Sequence, residues 1–347
     1  MNQFFLALLI FVPLTAIAAY LGWSPVAVFV LSAIALAPLA KFIGDATEDL
    51  SARTGPAIGG LLNATFGNAT ELMVGLFALN AGLIEVVKAS ITGSIIGNLL
   101  LVLGTAMLAG GWKRERQHFN ATAAKATGSS LILATTALVI PAIFLLTGGG
   151  DQAEVEHLSI LVSLLLILAY GASLLFSLHT HKHLYQEEAQ VAAPKWSTRT
   201  CVLVLLASTL AAAYMSDTLV GAIEPLVATL GWTQLFIGVV IVAIAGNVGE
   251  HFAAVTAAMK DRMDLSLQIS IGSATQIVMF VAPLLVIASV FIGAPMDLVF
   301  HLFELVAIIF TVIVTYSVVE DGMSNWFEGF QLLIAYVIMA VAFYFHA

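Results

Sequence analysis

Glu71 and Glu250 are the residues of this chain whose positions demand a chemical explanation. Each closes a five-residue string, Gly67-Asn68-Ala69-Thr70-Glu71 and Gly246-Asn247-Val248-Gly249-Glu250, set inside an otherwise apolar stretch. A Gly-Ser pair follows each string, Gly93-Ser94 and Gly272-Ser273, and begins 26 residues after its first glycine. A carboxylate near the middle of a bilayer costs roughly 2.5 to 3.5 kcal/mol even on a lenient insertion scale, so it marks function by default. Two of them at matched positions point to one site built from two halves.

On a helix, the positions three and four before a residue share its face. Asn68 and Gly67 are therefore expected beside Glu71, and Asn247 and Gly246 beside Glu250. Each face offers a carboxylate, an amide oxygen and a residue without a side chain, where another backbone or an ion can come close. Gly67, Gly246, Gly93 and Gly272 are the candidate close-approach positions. A small-residue packing seam explains part of these glycines, but it does not explain the glutamates.

The next apolar stretches add Ser94 and Asn98 in one half, and Ser273, Thr275 and Gln276 in the other. All are neutral oxygen donors. Hydroxyls in membrane helices often bond back to a carbonyl four residues earlier, which is the competing account of Ser94 and Ser273. Asn98 and Gln276 are costlier in lipid and therefore more telling. The superposition is imperfect here, since Asn98 aligns with Ile277 and Gln276 with Gly97. His251 stands after Glu250 where the first half has Leu72; it is either a proton relay titrating near neutrality or a neutral histidine packed between helices.

The elements that position these residues must lie in a membrane. The chain is 61% apolar and 10% charged over 347 residues, with a mean hydropathy of +1.03, which excludes a soluble domain with an ordinary polar surface. Apolar runs long enough to span occur near 4 to 21, 26 to 43, 60 to 80, 89 to 110, 128 to 148, 157 to 179, 200 to 217, 234 to 258, 265 to 292, 299 to 319 and 329 to 346. The expected fold is an all-α polytopic membrane protein of eleven transmembrane helices; continuous rather than alternating apolarity argues against a barrel. Ala16-Ile17-Ala18 resembles a cleavage box, yet no Lys or Arg precedes the first run, so it is read as a span. The single Cys201 has no disulfide partner and reads as a small packed residue. The net charge of −9 says little about partners, since acids on short loops make no acidic binding tail; no nucleic-acid partner is expected, and the lipid bilayer is the expected surrounding.

Span count and orientation test each other. With the N-terminus inside and eleven spans, only Lys88 among the 12 Lys and Arg residues falls outside, as the positive-inside rule requires. The expected location is the cell membrane, with a cytoplasmic N-terminus and the C-terminus outside. Leu219 to Gly231, interrupted by Glu224-Pro225, is read as an interfacial or re-entrant piece, because a further span would invert Lys260 and Arg262. No Lys or Arg lies where it could neutralise Glu71 or Glu250, so protons or a bound cation must.

An offset of 179 residues, from Gly67 to Gly246, also superimposes Asn68, Glu71, Ala78, Gly93 and Ser94 on Asn247, Glu250, Ala257, Gly272 and Ser273. The expected organisation is a leading transmembrane helix over 1–22, a first five-helix repeat over 24–180, a cytoplasmic linker over 181–199 and a second five-helix repeat over 200–347. Five is odd, so the second repeat enters from the opposite face. That is the inverted-repeat plan of many secondary transporters, with the site near the midplane.

Two carboxylates with amide, hydroxyl and carbonyl oxygens, and no thiolate, suit a hard divalent cation such as Ca²⁺. Two protons balance the charges equally well, while the empty, doubly charged form is unfavourable. Cation movement is then coupled to counter-movement of protons, with Glu71 and Glu250 as the metal ligands and Asn68, Asn247, Ser94, Asn98, Ser273 and Gln276 around them. No His-Glu-x-x-His pair or nucleophile accompanies the carboxylates, so an enzyme is not expected, nor any cofactor. A passive channel is disfavoured by paired inverted sites. Asp217 and Glu304, near span ends, are either further participants in proton transport or, the favoured reading, hydrated interfacial residues.

The run Gly59 to Leu72, with Gly93-Ser94-Ile95-Ile96-Gly97-Asn98-Leu99-Leu100, resembles the first repeat of the calcium/proton antiporters, or cation/proton exchangers, of the calcium:cation antiporter superfamily. Gly246 to His251 and Gly272 to Ile277 resemble the second. The resemblance covers nearly the whole chain. It implies one leading helix plus two inverted five-helix repeats, and exchange of Ca²⁺ for H⁺ with Glu71 and Glu250 as shared ligands. The alternatives are a sodium/calcium exchanger or a broader-specificity cation/proton antiporter. Sodium/calcium exchangers carry additional acidic and hydroxyl residues in the repeats, whereas this chain has one glutamate in each, and a histidine at the His251 position is typical of the proton-coupled branch. In place of the acidic inter-repeat helix of many relatives, the linker has only Glu187-Glu188 beside a His179-Thr180-His181-Lys182-His183 run that reads as a solvated loop.

Overall fold

The structure is a computed structural model that describes residues 3–346 apart from 55, 149, 182, 183 and 185–194. Lys182, His183, Glu187 and Glu188 therefore lie outside the described residues. Ten of the described helices are long and apolar enough to cross a membrane. They are α1 (Gln3–Tyr20), α2 (Pro25–Thr54), α5 (Ile84–Gly111), α6 (Ala121–Leu146), α7 (Gln152–Thr180), α8 (Thr198–Leu230), α9 (Gln234–Met259), α10 (Met263–Ile292), α11 (Leu302–Val319) and α12 (Trp326–Phe345). Between α2 and α5 lie two shorter ones, α3 (Pro56–Phe66) and α4 (Ala69–Asn80).

The α3/α4 break is the main departure from the expected spans, since 60 to 80 reads as one apolar run. Asn68 sits between the two with non-helical dihedrals, φ −110° and ψ 25°. It heads α4, yet its side chain does not cap that helix; its amide donates instead to Gln276 Oε1 at 2.7 Å. The equivalent Asn247 stays helical inside α9, where its Nδ2 donates to Ala243 O one turn earlier at 2.8 Å. The same residue type thus breaks one helix and continues the other, according to which partner claims its amide. Two further differences concern helix ends. α2 runs beyond the expected 26 to 43 through Asp45, Glu48 and Asp49, and 219 to 231 contains a helical turn, Ile223–Leu230, that extends α8 rather than forming a separate crossing.

The basic loops gather at one end of the bundle. Arg53 donates to Trp196 O, Arg114 reaches Met259 O at 3.1 Å and Asp261 at 3.4 Å, and Asn120 N donates to Asp264 at 2.7 Å. A short antiparallel pair, β1 (Gln117–His118) and β2 (Met323–Ser324), closes the same end. The other end carries the buried pair of Lys88 with Asp297 at 2.7 Å.

α5 is the innermost span, with 83% of its apolar window buried against 56% for α10. Lipid tails are as apolar as leucine, so such a helix is held by close packing across small residues and by polar bonds. A Cβ on Gly93 of α5 would lie 2.6 Å from both Cα and the carbonyl carbon of Val239 in α9, and a Cβ on Gly238 would lie 2.5 Å from Ala89 Cβ. Among the described residues, four stretches are π-helical: Gly97–Val102, Phe176–Thr180, Ile237–Val242 and Ile277–Val281. The first and last begin three and four residues after Ser94 and Ser273, consistent with the tendency of such bulges to sit at functional sites.

Candidate cation and proton site

Glu71 and Glu250, one from each string, line a single cavity of about 710 Å³. Gly67, Gly246, Gly272, Ser273, Thr275 and Gln276 share its wall. Glu71 lies across Gly246, where an added Cβ would be 3.7 Å from Glu71 Cγ and 3.8 Å from Oε1. An alanine here would therefore only touch the carboxylate of α4 at ordinary van der Waals distance, so Gly246 marks where α4 crosses α9 rather than a steric requirement for glycine. No Lys, Arg or His among the described residues forms an ion pair with either glutamate. Lys41, the one basic residue among those lining the cavity, is bound to Asp45 one turn along α2.

A polar network ties the two halves together. Asn98 Nδ2 donates to Ser273 Oγ at 3.0 Å and to Asn247 Oδ1 at 3.2 Å. Ser273 Oγ in turn donates a hydrogen bond to Glu250 Oε2 at 2.7 Å. Asn247 Nδ2 donates to Ser94 Oγ at 2.9 Å. Ser273 thus bonds across the site rather than to its own helix, and Ser94 receives its bond from the other half. The mismatch of Asn98 with Ile277 and of Gln276 with Gly97 becomes intelligible: Asn98 serves the second half, and Gln276 serves Asn68 of the first.

The network also leaves acceptors open. Asn68 Oδ1 and Asn98 Oδ1 are buried and receive no hydrogen bond. A buried amide oxygen without a donor costs on the order of 1–3 kcal/mol, and a hard cation would satisfy it. The end of α3 leaves further carbonyls without intrahelical partners beside them. Among the described residues, no three His, Cys, Asp or Glu side chains cluster as a metal site. The side chains of the hydrogen-bond network at Glu250 (Ser273, Asn98, Asn247 and Ser94) are all neutral.

Not every expected residue faces the cavity. Because α3 ends before Gly67, Gly67 and Asn68 do not form one helical face with Glu71; Gly67 and Glu71 line the same cavity, whereas Asn68 is not among its lining residues. Gly93 is a close-approach position, against Val239, whereas Gly272 meets nothing within 4 Å and opens onto the cavity. His251 is not among the lining residues, and its buried Nε2 has no partner. Asp217 is exposed as expected, but Glu304 is not hydrated: it is fully buried, held by Thr92 Oγ1 at 2.8 Å and His301 N at 3.0 Å.

Sequence reasoning missed Asp45, Glu48, Asn63, Tyr170 and Gln268 as cavity residues. The polar tail of α2 was a signal for the first two. Tyr170 sits in an unremarkable apolar run, and nothing local distinguishes it. A second, much smaller space of about 20 Å³, lined by Glu71, Ser90, Ser94 and apolar side chains including Ile91 and Leu285, lies on the Lys88 side of the site.

A family model described as sodium/calcium exchanger protein matches the chain twice, over residues 24–179 and 200–345. The chain belongs to this family. Its two matched stretches are the two halves that contribute to the cavity. Among similar proteins, the Ca²⁺/H⁺ antiporter of Synechocystis sp. is 46% identical, with 99% of this chain and 98% of that protein covered. The Ca²⁺/H⁺ antiporter ChaA of Bacillus subtilis is also 46% identical, with 99% of each covered. The solved structure of native YfkE superimposes with a TM-score of 0.87 at 44% identity, covering 98% of this chain and 99% of that one. A sodium-calcium exchanger, NCX_Mj, shares the fold at a TM-score of 0.59 and 17% identity, over 92% of this chain and 98% of its own.

Proposed function

We propose that this protein is a secondary active antiporter that exchanges Ca²⁺ for H⁺, with Glu71 and Glu250 alternately holding the cation and protons. The observation that carries the reading is that both glutamates meet in one cavity without a basic partner, beside buried amide oxygens that lack donors. The high identity to Ca²⁺/H⁺ antiporters over the full length supports the same substrates. A Ca²⁺ ion takes 6–8 oxygens, which two carboxylates, Asn68, Asn98 and neighbouring carbonyls or waters can supply. Either Ca²⁺ or two protons neutralises the pair.

Alternating access is supported by an asymmetry. On the Lys88 side, α5 lies tight on α9 at Gly93; on the basic side, the matched Gly272 faces open cavity. We read this as one of two states of an inverted repeat, open toward the basic end. In this reading α3 and α4 together make one crossing, giving a leading helix and two five-helix repeats, with the basic loops and N-terminus cytoplasmic in the cell membrane.

Purified protein in vesicles tests the proposal. An imposed proton gradient should drive Ca²⁺ accumulation, and a Na⁺ gradient at fixed pH should not. Glu71→Gln and Glu250→Gln should each abolish exchange while inserting normally. Sodium-driven uptake would favour the sodium/calcium exchanger, Ca²⁺ flux at channel rates without a gradient would favour a pore, and full activity of either mutant would refute the paired site. Mn²⁺, Mg²⁺ and K⁺ as competitors distinguish a broader-specificity antiporter.

A further inference from the structure

Glu304 has more partners than its local role requires. Among the described residues, three helices begin with a reciprocal capping box, closed by Glu154 in α7, Glu304 in α11 and Glu328 in α12. A capping box needs only a carboxyl that reaches back to its own helix start. Glu154 does this while exposed, and Glu328 while half-buried. Glu304 does it with 0% exposure and also receives Thr92 Oγ1 from α5.

This contact is the deepest of three rungs. Glu85, Lys88 and Thr92 occupy positions i, i+3 and i+7 of α5, one face of the helix. Lys88 Nζ donates to Asp297 at 2.7 Å and to Val299 O at 2.8 Å. His301 Nε2 meets Glu85 at 2.9 Å. All the partners come from the single segment 297–304. The charged groups facing the seam are Glu85 and Lys88 from α5, and Asp297, His301 and Glu304 from that segment. Gln152 of α7 reaches Asp297, and His346 past the end of α12 stacks on Phe303 of α11.

The second half has no equivalent. Shifted by 179 residues, Glu85, Lys88 and Thr92 become Asp264, Leu267 and Ile271. Asp264 accepts from Asn120 N at 2.7 Å, but the two deeper positions are apolar. α10 is thus pinned by this face only at its first turn, whereas α5 is pinned as far as Thr92. Ser94, two residues on, is about 3 Å further along the axis. It receives Asn247, and Asn98 one turn later feeds Ser273 and Glu250.

We propose that Glu304 is a positioning residue for exchange: through Thr92 it sets the depth and rotation of α5, and so the placement of Ser94 and Asn98 in the central site. Glu304 touches neither cation nor transported proton. It lies beside Thr92, whereas the space next to Glu71 is lined by Ser90 and Ser94, which share a different face of α5. The inference rests on the Ca²⁺/H⁺ reading, and wild-type uptake tests that reading separately.

The experiment compares Thr92→Val, Thr92→Ser, Glu304→Ala and Glu304→Gln in proteoliposomes. It measures the Ca²⁺ concentration for half-maximal proton-driven uptake, the maximal rate, the pH profile and the Ca²⁺-induced shift in unfolding temperature. Thr92→Val and Glu304→Ala should raise the half-saturating Ca²⁺ at least fivefold and shrink the thermal shift, with maximal rates within about twofold. Thr92→Ser and Glu304→Gln, which keep an oxygen in place, should stay within twofold of wild type, with an unchanged pH profile. If Glu304→Gln abolishes uptake or moves the pH profile, Glu304 carries protons itself and the proposal fails. It fails equally if Thr92→Val and Glu304→Ala leave half-saturation within twofold, whatever the maximal rate does. Should Glu304→Ala not insert, Thr92→Val decides, since it exchanges only a hydroxyl for a methyl. A wild type without proton-driven uptake would overturn the function instead, and the thermal shift would still read the coupling of Thr92 to the cation.

Discussion

The matched glycines Gly93 and Gly272 offer a direct test of whether the two halves exchange conformations. A Cβ at Gly93 would sit 2.6 Å from Val239 Cα and carbonyl carbon. Carbon atoms pack best at about 3.5–4.0 Å, so α5 and α9 would have to part by roughly 1 Å. Overpacking of this kind costs about 1–3 kcal/mol. Gly93→Ala should therefore destabilise the folded protein measurably. A Cβ at Gly272 meets nothing within 4 Å, and alanine in a helix interior is favoured over glycine by roughly 0.5–1 kcal/mol. Gly272→Ala should fold at least as stably as wild type. If exchange requires the second half to adopt the arrangement the first half has now, Gly272 must enter the same close approach. The penalty of about 1–3 kcal/mol then falls on one state only and lowers its population about 5–150-fold. Thermal unfolding in detergent reports the stabilities, and proton-driven Ca²⁺ uptake reports turnover. A Gly272→Ala protein that transports at the wild-type rate would refute the exchange of arrangements. A Gly93→Ala protein as stable as Gly272→Ala would refute the packing argument beneath it.

Two further expectations follow from individual contacts. Ser273→Ala removes the hydroxyl that receives Asn98 and donates to Glu250. It should cost about 1–3 kcal/mol of stability in the absence of Ca²⁺ and less in its presence, as read by unfolding with and without the ion; equal losses would show that the network is not part of the cation site. Asp297 lies outside the spans: burial pushes its carboxyl up, but the Lys88 ammonium, Val299 amide and Gln152 more than reverse this and hold it below the ordinary carboxylate value. A lowered folded-state value gives stability that is present above an unfolded pKa of about 3.9 and is lost as pH falls through the folded value. Wild type should therefore lose this increment only as pH falls below about 4, and Lys88→Met should remove it, so that the mutant's thermal stability no longer shows this loss below about pH 4.

Much of the site was legible because it resides in residues that lipid penalises. Glutamate, asparagine and glutamine within apolar runs are rare enough to single out one by one, and the repeated spacing from Gly67 and Gly246 to the Gly-Ser pairs tied them to one site. Apolar run length located the long helices for the same reason: a bilayer imposes a length on every span. What remained hidden was any feature set by contact between segments. Glu304 reads as an interfacial acid because it begins a helix; it is buried because Thr92 and the 297–301 segment close over it. Tyr170 reads as filler until α7 is placed against the cavity.

The sequence by itself determined the class of fold, the pairing of two carboxylates and the absence of a basic residue to neutralise them, since each follows from the cost of moving charge out of water. The tertiary structure alone decided the asymmetry. Two strings that share Gly, Asn and Glu became a broken helix at Asn68, whose amide donates to Gln276, and an unbroken one at Asn247, whose amide donates both to Ala243 O one turn back and to Ser94. Two identical Gly-Ser pairs became a tight seam at Gly93 and an open wall at Gly272. Local sequence cannot distinguish these outcomes, because the difference lies in which neighbour each residue meets.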